Sequence, residues 1–179
     1  MTLPKAVSLT LLKTVGFKFA DYNSDIAIDP IVIINAVEKL RSNEVDVVYP
    51  YNGQCFNVSE GLKALYFIRK NINVLYDNIC KMELLYKYNL VGGVFLANTQ
   101  KMIQSGKENE KYYGWGNEDF DRFWRFIIKN LRIYRSANCL FHLCHPRFEN
   151  SNYRSKKQSD ISNKEISNKI SEFKVSTWK

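Results

Sequence analysis

The feature that most constrains this chain is the repeated change of its hydrophobic period. Phe17 and Phe19 alternate through an extended stretch, residues 17 to 22, as a strand requires. Asp29-Pro30 then reads as an N-cap followed by a first helical residue, since proline lacks an N–H that the first turn would leave orphaned anyway. Ile31, Ile34, Val37 and Leu40 follow at helical spacing, and this helix is expected to stop near Ser42-Asn43. Val45 to Tyr49 is a β-rich run ended by Pro50, and Ser59 is placed to cap a long helix through Leu62, Leu65, Ile68 and Ile72. A further helical pattern, Pro4 to Val15, precedes the first strand.

The alternation continues beyond a polar stretch. Gly92-Gly93 opens the apolar strand GGVFLA, Asn98 caps a short helix, and Gly106 ends it. A helix beginning near Glu118 carries Phe123, Phe126 and Ile127 on its expected buried side, and two strand-like runs follow at Arg132 to Tyr134 and Cys139 to Leu143. Strands interleaved with helices predict a layered α/β domain with a mixed sheet. With 179 residues and 45% apolar content, such a domain can bury a core without metal or disulfides. We therefore expect an α/β domain over residues 1–150 and a basic tail or surface helix over 151–179.

The tail holds seven Lys/Arg against three Asp/Glu, so it carries half of the chain's net charge of +8. Its near-repeat ISNKEISNKI lets Ile161, Ile166, Ile170 and Phe173 form a thin helical stripe, which suits a solvated tail, a docked surface helix, or a basic segment resting on an anionic membrane. A positive balance suits phosphate-bearing partners in general and does not choose among them. The four cysteines form no CxxC pair, no apolar run reaches membrane-spanning length, and the N-terminus lacks a convincing cleavage site. These features lead us to expect free thiols and a cytoplasmic setting, with peripheral membrane contact through the tail as the alternative. No RNP-like or zinc-finger spacing occurs, so no nucleic-acid partner is expected.

Three segments carry side chains suited to chemistry. In DYNSDIAID, Asp25 follows the first strand, at the edge where open α/β sheets bind ligands, with Asn23 on the same face of an extended chain. The bland alternative is that Asp25 and Asp29 make turns and caps. In YYGWGNEDFDR, Gly114 and Gly116 flank Trp115, and Glu118, Asp119 and Asp121 crowd a helix start. Glu118 with Arg122 and Asp121 with Arg125 are i,i+4 pairs, which leaves Asp119 without such a partner and marks it either as a site residue or as ordinary surface. In LFHLCHPR, His142 and His145 reach one metal only if the chain turns between them; in a straight strand they point to opposite faces.

The run GGVFLANTQKMIQSGKENEKYYGWGNEDFDRFWRF resembles the carboxyl-terminal signature of β-1,4-galactosyltransferases and of bacterial capsule-type glycosyltransferases similar to them. The resemblance spans about residues 5 to 152 and is most specific from Gly92 through Arg125. It implies a nucleotide-diphospho-sugar transferase of the GT-A type, an inverting, divalent-metal-dependent enzyme, usually with Mn²⁺. Its donor would be a nucleotide sugar, a UDP-sugar in the first instance, and its acceptor a glycan hydroxyl, as in capsule or surface polysaccharide synthesis. Asp119 falls on the family's catalytic base and Glu118 on the neighbouring acid that holds the acceptor. Trp115, between Gly114 and Gly116, offers a stacking face, while Gly92 and Gly93 lie on the donor side. Asp25 matches the second acid of the metal-binding motif and His145 its late histidine, and His142 stands where the animal enzymes use a methionine.

Two departures accompany the resemblance. Asn23 replaces the first acid of the metal motif, and only about 22 residues precede that motif, where the family places a larger nucleotide-binding portion. The expected fold is accordingly GT-A-like but short of much of its N-terminal nucleotide-binding part. The alternative function is a catalytically inactive relative that binds a sugar or nucleotide, or depends on a partner.

Overall fold

The computed structural model describes residues 17–22, 25–86, 90–112, 117–145 and 156–176; the helix expected over 4–15 lies outside them. The chain divides into two compact units, residues 1–99 with 132–145 and residues 100–131 with 146–179.

The first unit contains two four-stranded sheets, where the sequence suggested one. In the first sheet, β1 (Phe17–Tyr22) pairs antiparallel with β6 (Val94–Asn98), β6 antiparallel with β3 (Val47–Tyr49), and β3 parallel with β7 (Ile133–Arg135). In the second, β2 (Ile26–Ala27) pairs antiparallel with β8 (Leu140–Leu143), β8 parallel with β4 (Cys55–Val58), and β4 antiparallel with β5 (Glu83–Tyr86). Both sheets are thus mixed, in keeping with the α/β expectation, but β4 and β5 are strands that periodicity alone did not announce.

Helix α1 (Pro30–Arg41) forms as its sequence predicts. Asp29 is the N-cap, its Oδ1 accepting from Ile31 N at 3.0 Å, Pro30 is the first helical residue, and Ser42 caps the C-terminus. The phase of its buried face differs from expectation: Val32, Ile33, Ala36, Val37 and Leu40 are buried, whereas Ile31 and Ile34 are exposed. Helix α2 (Glu60–Arg69) starts from the Ser59 cap and ends on Lys70 in the left-handed conformation, so Ile72 belongs to the following turn, ahead of the short α3 (Asn73–Tyr76). Around Phe141, at the centre of the second sheet, Ala27, Val58, Leu75 and Cys139 form a buried cluster, and the Tyr76 ring meets Phe141 edge-on at 5.0 Å.

The second unit contains α5 (Asn117–Ile128) and α6 (Lys156–Ser176), which pack against each other; α4 (Thr99–Gln104) leads into this unit from β6. Phe126 is buried, but Phe123 is half-buried and Ile127 exposed, so the expected apolar side of α5 is only partly the inner one. Its inner face includes charge: Asp121 and Arg122 are each 1% exposed. Asp121 receives Arg125 Nε at 2.9 Å, and Arg125 Nη1 donates to the Ser105 carbonyl at 2.8 Å, so the buried charges are bonded rather than bare. The tail helix likewise docks through polar groups. Ser162 and Glu165 are buried and Glu165 accepts from Asn109 Nδ2 at 2.8 Å, while Ile161 and Ile170 of the expected stripe are exposed. Among the described residues no helix is long and apolar enough to cross a membrane.

Candidate active site

Strand register builds a group of candidate residues within the first unit. β8 lies between β2 and β4, so His142 is paired on one side with Ile26 and on the other with Asn57. Asp25 immediately precedes β2, and its carbonyl accepts from Leu143 N at 2.7 Å, which ties this turn to the end of β8. The strand stops at Leu143, releasing Cys144 and His145 from the alternation of a pleated strand. Lys63 of α2 donates to the Cys144 carbonyl at 2.5 Å and to Glu60, and the Glu60 contact raises the lysine's pKa. The turn that frees His145 is thereby anchored.

The result is a compact group of three side chains. Asp25 Oδ2 lies 2.8 Å from His145 Nε2 and 3.3 Å from His142 Nε2, and the two imidazole rings are 5.4 Å apart. One donor atom from each residue falls within 4.8 Å of the others. Donors that share one small divalent cation at roughly 2.0–2.2 Å stand about 3–4 Å from one another, so this arrangement is close to what an ion needs. Two imidazole nitrogens and a carboxylate oxygen suit a borderline metal such as Zn²⁺, and the carboxylate also suits the harder Mn²⁺. The Asp–His group is therefore a possible metal site. Asp25 is not a helix cap here; Asp29 alone has that role.

The acidic segment belongs to the second unit, where Glu118 and Asp119 lie in the first turn of α5, both half-buried. The expected isolation of Asp119 is not found. Its carboxylate is hydrogen-bonded to the Arg122 guanidinium, three residues on, and Arg122 also holds both oxygens of Glu108 at 2.9 and 3.0 Å. Arg122 thus bonds Asp119 and the exposed Glu108, where i,i+4 spacing had suggested Glu118. The other expected pair, Asp121 with Arg125, is present.

Gly92 is buried, and its carbonyl accepts the Tyr51 hydroxyl at 2.5 Å. Gly93 has φ +88°, and a Cβ there would stand 3.2 Å from Leu140 Cδ1. Asn23, Gly114, Trp115 and Gly116 lie outside the described residues. Spacing gave no hint of three contributors: Asn57, whose Oδ1 is 3.1 Å from His142 Nδ1, Lys63 behind the His145 turn, and Glu108 beyond Arg122. For Arg122 the available signal was its i,i+3 distance from Asp119, which competed with the i,i+4 reading.

No curated protein and no solved structure matches the chain. Residues 76–147 match the family described as the N-terminal domain of galactosyltransferase. The matched stretch is shorter than the span of the sequence resemblance, but it includes Gly92, Gly93, Trp115, Glu118, Asp119, His142 and His145, while Asp25 and Asn57 precede it. Over residues 76–147 the chain is thus galactosyltransferase-like.

Proposed function

We propose that this chain is an inverting, metal-dependent glycosyltransferase that moves galactose, or a related hexose or N-acetylhexosamine, from a UDP-sugar to a glycan hydroxyl in capsule or surface polysaccharide synthesis. The observation that carries the reading is the meeting of Asp25 with His142 and His145, two of which lie within the galactosyltransferase match. Those three side chains would hold the cation, with Asn23 preceding them in sequence. Mn²⁺ bound there supplies positive charge against the diphosphate that leaves with the nucleotide.

The remaining steps fall to the chain's own groups. Asp119 accepts the proton of the acceptor hydroxyl as that oxygen becomes nucleophilic, a task for which a carboxylate near a helix N-terminus is available. Its bond to Arg122 fixes the direction in which the carboxylate points. Glu118 holds the acceptor sugar, Trp115 between Gly114 and Gly116 provides an aromatic face, and Gly92-Gly93 border the donor.

The test is turnover of a UDP-sugar panel with a mixed acceptor set, with and without Mn²⁺. Transfer should require the cation and fall at least about 10²-fold in Asp119→Asn, the scale of a lost general base. A thermal-shift arm with UDP and Mn²⁺ should add about 2.7 kcal/mol of stability at a hundred times the dissociation constant. Stabilisation without turnover for any donor would identify the inactive, ligand-binding relative instead.

A further inference from the structure

We infer that Asn57 is a positioning residue that fixes the tautomer and direction of His142 for a divalent cation, an inference that rests on the metal-site reading above. β4 and β8 run parallel with Asn57 and His142 in register, so both side chains are presented on one face of the second sheet. The Asn57 Oδ1 lies 3.1 Å from His142 Nδ1. An amide oxygen can only accept, so this contact holds a proton on Nδ1, and Nε2 is the ring nitrogen left to a cation that displaces any proton shared with Asp25. It is Nε2 that faces Asp25 Oδ2, at 3.3 Å.

In the opposite tautomer His142 would present an N–H to the site and could not ligate, whatever its distance from Asp25. His142 is 14% exposed at its side chain, against 43% for His145. His142 is thus the more enclosed of the two rings, and Asn57 stands in register to orient its Nδ1 side. Outer hydrogen bonds of this kind typically contribute about 10–100-fold to metal affinity.

The experiment uses the full chain and two readouts. In the metal-free protein, ¹⁵N correlation spectra of His142 should show a proton on Nδ1, whether or not Nε2 shares one with Asp25; in Asn57→Leu the preference for Nδ1 should be lost. Mn²⁺ titration should show affinity falling about 10–100-fold in Asn57→Leu and retained in Asn57→Asp, whose carboxylate still accepts from Nδ1. Circular dichroism confirms that each variant is folded, and Asn57→Ala serves if the leucine does not fold. A wild type with no proton on Nδ1, or leucine and alanine variants that bind Mn²⁺ within about twofold of wild type, would overturn the inference while leaving the metal site standing. Wild-type protein that binds no Mn²⁺ would overturn the metal-site reading itself, and this inference with it.

Discussion

Adding one methyl group at Gly93 separates a structural demand from a substrate demand. Gly93 has φ +88°, a region that costs an L-residue about 1–3 kcal/mol. The new Cβ would also stand 3.2 Å from Leu140 Cδ1 and 3.9 Å from Ile26 Cγ1, and Leu140, fully buried and held between β2 and β4, has little room to retreat. Gly93→Ala should therefore destabilise the first unit by about 2 kcal/mol, lowering Tm by roughly 4–8 °C for a chain of this size. Gly61 is the internal control. It lies near the start of α2 with nothing within 4 Å of an added methyl, so Gly61→Ala should gain about 0.5 kcal/mol from helix propensity. The assay is urea unfolding followed by far-UV circular dichroism, because tryptophans 115, 124 and 178 all fall in the sequence of the other unit. Equal effects at the two positions, or a loss below about 0.5 kcal/mol at Gly93, would refute the argument from backbone strain.

Two further perturbations address buried polar groups. Burial, reinforced by the neighbouring Cys139, pushes the Cys55 thiol up to about 12, so the folded state keeps a proton that the unfolded state releases above about 9. Stability should then decline by roughly 1 kcal/mol per pH unit between those values, and a decline of the same slope in Cys55→Ala would contradict this origin. In the second unit, Arg122→Met leaves the largely enclosed Asp119 carboxylate, 17% exposed, without its guanidinium, while Glu108, 44% exposed, turns to water. We expect a loss of roughly 2 kcal/mol, read by tryptophan fluorescence, and a loss under about 0.5 kcal/mol would mean that Asp119 also finds water without moving the helices.

How far the fold was legible depends on how local its causes are. α1 could be placed from Asp29 and Pro30 because capping acts within a few residues. Its buried face could not, because Ile31, Val32, Ile33 and Ile34 are all apolar, and the choice among them is made by contact with β3 and β6. β4 and β5 were silent for a related reason: CFNV and ELLY are four residues each, too short for a period, and become strands by pairing with β8 and with each other. α5 misled through polarity. Its inner face includes Asp121 and Arg122 while Phe120 and Trp124 are exposed, an inversion possible only because Glu108, Ser105 and Asp119 bond the buried cations. The same polarity argument failed for α6, where Glu165 is buried and Ile161 is exposed.

The candidate metal group shows the same division more sharply. From HLCH alone, two imidazoles three apart oppose each other in a strand and meet only if the strand ends between them, and nothing in those four letters decides where β8 stops. The structure ends it at Leu143, and the contacts that hold the chain there come from elsewhere: the Asp25 carbonyl engages Leu143 N, and Lys63 takes the Cys144 carbonyl. Asp25 is 120 residues from His145, and Lys63 is 81 from Cys144, so the alternation rule had no access to them. Asn57 is hidden for a further reason, since chain order places β4 far from β8 while sheet order makes them neighbours. A sequence can thus name the ligating types, Asp and His, from their chemistry, but the groups that aim them are chosen by strand order, which is a property of the folded sheet.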